Sequence, residues 1–130
     1  MLANTPATRT LTSKSNNAYL PLKQINGVND KVQSITIDSK NNIYFGTGEG
    51  AFVLKHGETT PTKINGINGN IISLVVDSEN NIYFGKFDGA YKLSAGSNTL
   101  TKINGINNKV NSITIDKTKY LYFGTELVHI

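Results

Sequence analysis

Ile25-Asn26-Gly27 recurs as Ile64-Asn65-Gly66 and again as Ile103-Asn104-Gly105, a spacing of 39 residues each time. Asp38, Asp77 and Asp116 keep that spacing, as do Tyr44-Phe45-Gly46, Tyr83-Phe84-Gly85 and Tyr122-Phe123-Gly124. Three markers in one ungapped register define an internal repeat. A repeat of this length restricts a chain to architectures in which one supersecondary unit stacks on copies of itself. The first and third copies are most alike, as Val32-Gln33-Ser34-Ile35-Thr36-Ile37 against Val110-Asn111-Ser112-Ile113-Thr114-Ile115 shows.

Each unit reads as strands. Ser34-Ile35-Thr36-Ile37 and Leu74-Val75-Val76 are short β-branched runs bounded by Asn, Asp and Gly, and no long window keeps apolar residues at helical spacing. The middle copy predicts four strands at Ile71–Val76, Asn81–Gly85, Ala90–Leu93 and Thr99–Ile103. Asp77-Ser78-Glu79-Asn80 and Lys86-Phe87-Asp88-Gly89 are its hairpin turns, the second with an Asp-Gly pair suited to positive φ. The inner strands carry adjacent apolar pairs, Ile71-Ile72 and Val75-Val76, so each sheet is expected to be covered on both faces. The fold class is therefore all-β, a β-propeller of four-stranded antiparallel blades. A parallel β-helix is the structural rival, but its coils are shorter and lack two-residue hairpin signals.

Composition removes several alternatives. The 130 residues suit a single domain, and 38% hydrophobic with 17% charged residues is not a disordered composition. With no cysteine, a disulfide scaffold, a thiolate metal site and a cysteine nucleophile are excluded. Apolar runs of four or five residues cannot cross a bilayer as a helix, and residues 1–9 lack the basic start and apolar core of a signal peptide. The net charge of +4 comes from scattered lysines with no nucleic-acid footprint.

The stretch Val32-x-Ser34-Ile35-x-x-Asp38-x-x-x-Asn42-Ile43-Tyr44-Phe45-Gly46-Thr47-x-x-Gly50 resembles the two-component-regulator propeller repeat. The resemblance covers about Leu22 to Thr125 and implies propeller architecture. Members of that family often form the extracytoplasmic sensing part of bacterial signalling proteins, and related propellers include lectins and a lyase. The resemblance thus tilts the location towards outside the cytoplasm. Two departures stand out. Tyr44, Tyr83 and Tyr122 replace the usual Trp, and Lys86 replaces the Thr found at Thr47 and Thr125. No family ligand carries over.

The repeats run about 24–62, 63–101 and 102–130, and the whole chain, 1–130, reads as one propeller-forming domain. Leu20-Pro21-Leu22-Lys23 matches Thr99-Leu100-Thr101-Lys102, an outer strand, and Thr8–Thr12 alternates like a third strand. At the other end, Val110–Ile115 and Tyr120–Gly124 supply inner and second strands, and no third-strand turn follows Thr125. The outer strands of this incomplete blade are expected from about 8–23. Three blades are too few to close a ring, and an open arc exposes an apolar face at each end. The expected partner is a second copy, two chains forming a six-bladed ring with composite blades at both junctions.

The repeated aspartates read as Asx turns rather than calcium loops, and the tyrosines as inter-blade packing with their hydroxyls bonded at an edge. His56 and His129 occupy unmatched positions, without a Ser or Asp constellation. No cofactor or metal is implied. In a propeller, the outer-to-inner loops and the second hairpins share one face. That face collects the expected ligand-binding residues Asn29, Asn68, Asn70, Asn107, Lys86, Phe87 and Asp88, with Asn108, Glu49 and Glu126 nearby. Amides beside an aromatic suit a hydroxyl-rich ligand. The expected function is a noncatalytic binding module that self-assembles and presents this face to a protein or glycan. The alternatives are a lectin and a lyase-like enzyme, with no nucleic-acid or membrane partner.

Overall fold

A computed structural model describes residues 30–126 together with Ile25, Gly27 and Val28. The chain divides into two compact units, and the larger, Asp30–Gly57 with Thr62–Ile130, carries all the strands of the described residues. Ten strands and no helix occur among the described residues. β1 (Val32–Ile37), β2 (Ile43–Thr47), β3 (Gly50–Leu54) and β4 (Thr62–Asn68) form one antiparallel sheet in sequential order. β5 (Ser73–Val76), β6 (Ile82–Lys86), β7 (Gly89–Leu93) and β8 (Leu100–Lys102) form a second sheet. β9 (Val110–Ile115) and β10 (Leu121–Thr125) make a two-stranded third. Residues 8–23, expected to complete that sheet from another chain, lie outside the described residues, as does Asn29.

Strand bounds differ slightly from those expected, for local reasons. Ile71 and Ile72 precede β5 rather than opening it. The Ile71 N–H donates to Thr47 of the first sheet at 2.8 Å, while that of Ile72 donates to Gly85 of the second at 2.9 Å. The pair thus straddles two sheets. The second hairpin is the expected four-residue turn, in which Lys86 and Gly89 pair and leave Phe87 and Asp88 at the tip. Gly89 has φ 147°, and a side chain there would overlap the Ile106 carbonyl oxygen, so glycine alone fits.

The sheets pack face to face. Leu74, Ile82, Phe84 and Leu93 of the second bury against Tyr44, Ala51 and Ile67 of the first. Its other face, through Ala90 and Tyr83, packs on Val110, Ile113 and Phe123 of the third. The middle sheet is therefore covered on both sides. The aromatic-Gly motif explains the close approach. A Cβ on Gly46 would lie 2.8 Å from a Leu74 methyl, and one on Gly85 would lie 2.6 Å from Val110 Cβ. Hydroxyls seal the same seams, since Ser34 Oγ accepts from the Leu74 N–H at 3.1 Å and Ser73 Oγ donates to the Val110 carbonyl at 3.3 Å.

The outermost faces are exposed, as expected of an open run of three sheets. Ile35 and Ile37 on β1 are 52% and 57% exposed, whereas Leu74, at the repeat position of Ile35, is 3% exposed. Tyr122 on β10 is 52% exposed, while Tyr44 at its repeat position is 8% exposed. The residues are the same in kind, and only their neighbours differ.

Candidate functional site

Antiparallel order divides the loops between two ends. The aspartate turns, residues 38–42, 77–81 and 116–120, share one end with the β7–β8 connection. The β2–β3 and β6–β7 turns and the β4–β5 and β8–β9 connections gather at the other.

At the first end the aspartates are structural in geometry. Asp38 Oδ1 accepts from the N–H groups of Lys40 and Asn42 at 2.8 and 2.9 Å. Its Oδ2 accepts from Asn42 Nδ2 at 3.0 Å and Tyr44 OH at 2.9 Å. Asp77 repeats the pattern with Glu79, Asn81 and Tyr83, and Asp116 does so with Thr118, Tyr120 and Tyr122. Both oxygens of each carboxylate are taken, which leaves a cation little to bind. Burial raises the Asp38 and Asp77 pKa, but the bonds from Asn42 and Asn81, their tyrosines and the turn backbone outweigh it and hold both below the usual value. Asp116 is lowered to about 2, chiefly by Thr118 and the Tyr120 N–H. Burial and the Asp38 carboxylate raise Tyr44 to about 12. Among the described residues no three His, Cys, Asp or Glu side chains converge as a metal site.

Two asparagines at this end have a role not expected from the sequence. Asn42 Oδ1 accepts from the His56 N–H at 2.9 Å, and Asn81 Oδ1 from the Ala95 N–H at 3.0 Å. Each ties its turn to the end of the third strand. The third copy has Tyr120 at this position. The signal was the recurrence of Asn at a spacing of 39. A cavity of about 310 Å³ also opens at this end, lined by Ile64, Ile82, Leu93, Asn65, Asn80 and Asn98 among others. None of the expected ligand residues borders it.

The opposite end holds the expected ligand residues that are described, Asn68, Asn70, Lys86, Phe87, Asp88 and Asn107. Two amides are committed internally, for Asn68 Oδ1 accepts from Lys63 Nζ at 3.1 Å, and Asn70 Oδ1 accepts from Gln33 Nε2. Asn107 is exposed in the β8–β9 connection, beside the Ile106 carbonyl that covers Gly89. Lys86, Asp88 and Lys102 gather round Tyr91, and Lys109 lies over the neighbouring Phe87; Tyr91, Lys102 and Lys109 were not expected at the site. Lys86 Nζ stands 5.5 Å from the centroid of the Tyr91 ring, and Lys102 Nζ 6.0 Å from the same centroid. Tyr91 OH donates to Asp88 Oδ1 at 2.9 Å. Burial first, then this carboxylate, raises the Tyr91 pKa. Phe84 stacks under Tyr91 with ring centroids 5.7 Å apart. Phe87 is 59% exposed, and Lys109 Nζ lies 5.2 Å from its ring centroid. The signal for Tyr91 was a hydroxyl gained where the first copy has Phe52.

The one ion pair among the described residues joins Lys119 to Glu79 at 3.1 Å at the aspartate-turn end. None of Lys86, Lys102 and Lys109 joins an ion pair among the described residues. Among the described residues no helix is long and apolar enough to cross a membrane. No family model matches the chain, and no curated protein matches it.

Proposed function

We propose that this chain is a noncatalytic propeller-forming module, akin to the two-component-regulator repeat. On this reading it assembles with a second copy of itself and presents the Lys86–Asp88 end to a ligand. One observation carries the assembly. The exposed Ile35/Ile37 face and the exposed Tyr122 face occupy, by repeat position, the two sides of a contact that the chain makes twice internally. Leu74 and Ile71 cover Gly46, and Val110 covers Gly85, but among the described residues the three atoms nearest a Cβ on Gly124 all belong to Ser112 of its own sheet. Complementary faces at opposite ends of a stack give a head-to-tail contact, which must close or polymerise. Two chains of three sheets fall within the usual propeller range of about four to eight blades. Closure removes open strand edges and both apolar faces from water.

Light scattering tests the proposal. The expected mass is twice the 14.1 kDa of the chain, unchanged on dilution through the micromolar range. A monomer, or a polydisperse fibre, would overturn the two-chain ring.

A further inference from the structure

The β6–β7 hairpin of the middle copy departs in chemistry from its β2–β3 counterpart. In the first sheet, Thr47 Oγ1 donates to the Gly50 carbonyl at 2.9 Å and accepts from the Glu49 N–H at 3.1 Å. Thr47 is fully buried, and its hydroxyl locks the β2–β3 turn. The middle copy places Lys86 there, forgoing both bonds, and changes Gly48 to Phe87 and Phe52 to Tyr91. The Tyr91–Asp88 bond braces this turn instead. A repeat position that abandons its local rule points to a functional site rather than to the fold.

We propose that the Lys86–Tyr91–Lys102 cluster, with Phe87 and Lys109 beside it, binds the carboxylate and ring of an acidic sugar. This rests on the reading of this end as the binding face and names its ligand class. Two ammonium groups within 6.0 Å of one ring centroid set the charge. Cation–π contacts at exposed sites are weak beside a charge-assisted hydrogen bond, so an anion draws both ammonium groups to itself. The exposed Phe87 ring offers a face for the apolar side of a pyranose. A nucleic acid fits less well, because a strand needs successive rings, whereas Phe87 is the one large exposed aromatic at this end among the described residues.

Titration calorimetry on the full chain tests this with oligogalacturonate, a neutral dextran oligosaccharide and an oligothymidylate. Oligogalacturonate is expected to bind, more weakly as salt rises. Lys86→Thr, which restores the turn hydroxyl and so keeps the fold, and Lys86→Gln should each weaken it by about tenfold or more. No binding of oligogalacturonate, binding by both variants as tight as by the unsubstituted chain, equal binding of dextran, or tighter binding of the oligonucleotide would each overturn the proposal. The cluster lies within one chain. A sample that is monomeric by light scattering yet binds oligogalacturonate therefore overturns the ring and supports the site. A dimer that ignores the sugar does the reverse.

Discussion

The Tyr44 hydroxyl donates to Asp38 Oδ2 at 2.9 Å, across a turn whose other donors converge on the same carboxylate. Ring burial and turn geometry are thereby one device, since the ring packs against the next sheet while its hydroxyl caps the aspartate. Tyr44→Ala should destabilise the chain by about 3–5 kcal/mol through the lost buried ring. Asp38→Ala should cost about 1–3 kcal/mol, because it strands four donors near the surface. The double variant should fall short of the sum, as directly bonded partners do. Urea unfolding of the three proteins measures this, and strict additivity would mean that the bond contributes nothing.

The pH response arises from the same turns. Asp38, Asp77 and Asp116 have pKa values lowered from 3.8 in the folded chain, Asp116 to about 2. A depressed folded value contributes stability that is fully present above the unfolded value. That contribution is lost as pH falls from there through the folded value. The urea midpoint should therefore decline below about pH 4 and keep declining towards pH 2. At the alkaline end Tyr44, raised from 10.0 to about 12, works in the opposite sense. Its contribution is present below the unfolded value of 10 and is lost as pH rises towards 12. Asp77→Asn should flatten the acid limb, and an unchanged limb would show that the turns are not its source.

How far this was legible depended on what the repeat encodes. Asp77, Tyr83 and Gly85 recur because each sheet needs the same turn, the same ring and the same close approach, so periodicity revealed them. Exposure of the Ile35 and Tyr122 faces followed from the count of three sheets and not from the repeat itself, which records what each sheet is built for and not which neighbour it has. The ligand end was half legible. Lys86 stood out as a departure, but Tyr91 and Lys102 join it only through the β6–β7 and β7–β8 pairings. Asn68 and Asn70 looked like free amides and are instead bonded to Lys63 and Gln33.

Lys119 carries a cost that Asn41 and Asn80 avoid. All three sit at the same turn position, Lys119 with φ of 71° and the two asparagines with 67°, a region that asparagine tolerates and lysine does not favour. Lys119 also pairs with Glu79 at 3.1 Å, between exposed side chains. Such pairs contribute about 0.2–1 kcal/mol, against roughly 1–2 kcal/mol for a left-handed residue with a long side chain. Lys119→Asn should therefore stabilise slightly, by about 0.5–1 kcal/mol, and most clearly at high salt where the ion pair is screened. Thermal melting at low and high salt reads both effects, and destabilisation at high salt would show that backbone strain at Lys119 is not the larger effect.

Gly85 and Gly124 offer the sharpest separation of fold from assembly, because they are one repeat position in two surroundings. At Gly85 a Cβ would meet Ser73 Oγ and Val110 Cβ, both at 2.6 Å, so Gly85→Ala must push the second and third sheets apart. Overpacking of this kind costs about 1–3 kcal/mol, and the melting temperature should fall in the isolated chain at any concentration. At Gly124 the three atoms nearest the added methyl, among the described residues, all belong to Ser112, its Oγ at 2.6 Å. A hydroxyl can rotate aside. Gly124→Ala should therefore leave the strand content of the chain intact in circular dichroism. In the proposed ring, however, Gly124 faces β1 of the second copy, as Gly46 and Gly85 face β5 and β9. The same methyl would hold that strand off, and light scattering should show the mass falling from two chains towards one. A Gly124→Ala protein that keeps the full mass on dilution would place the contact between copies elsewhere.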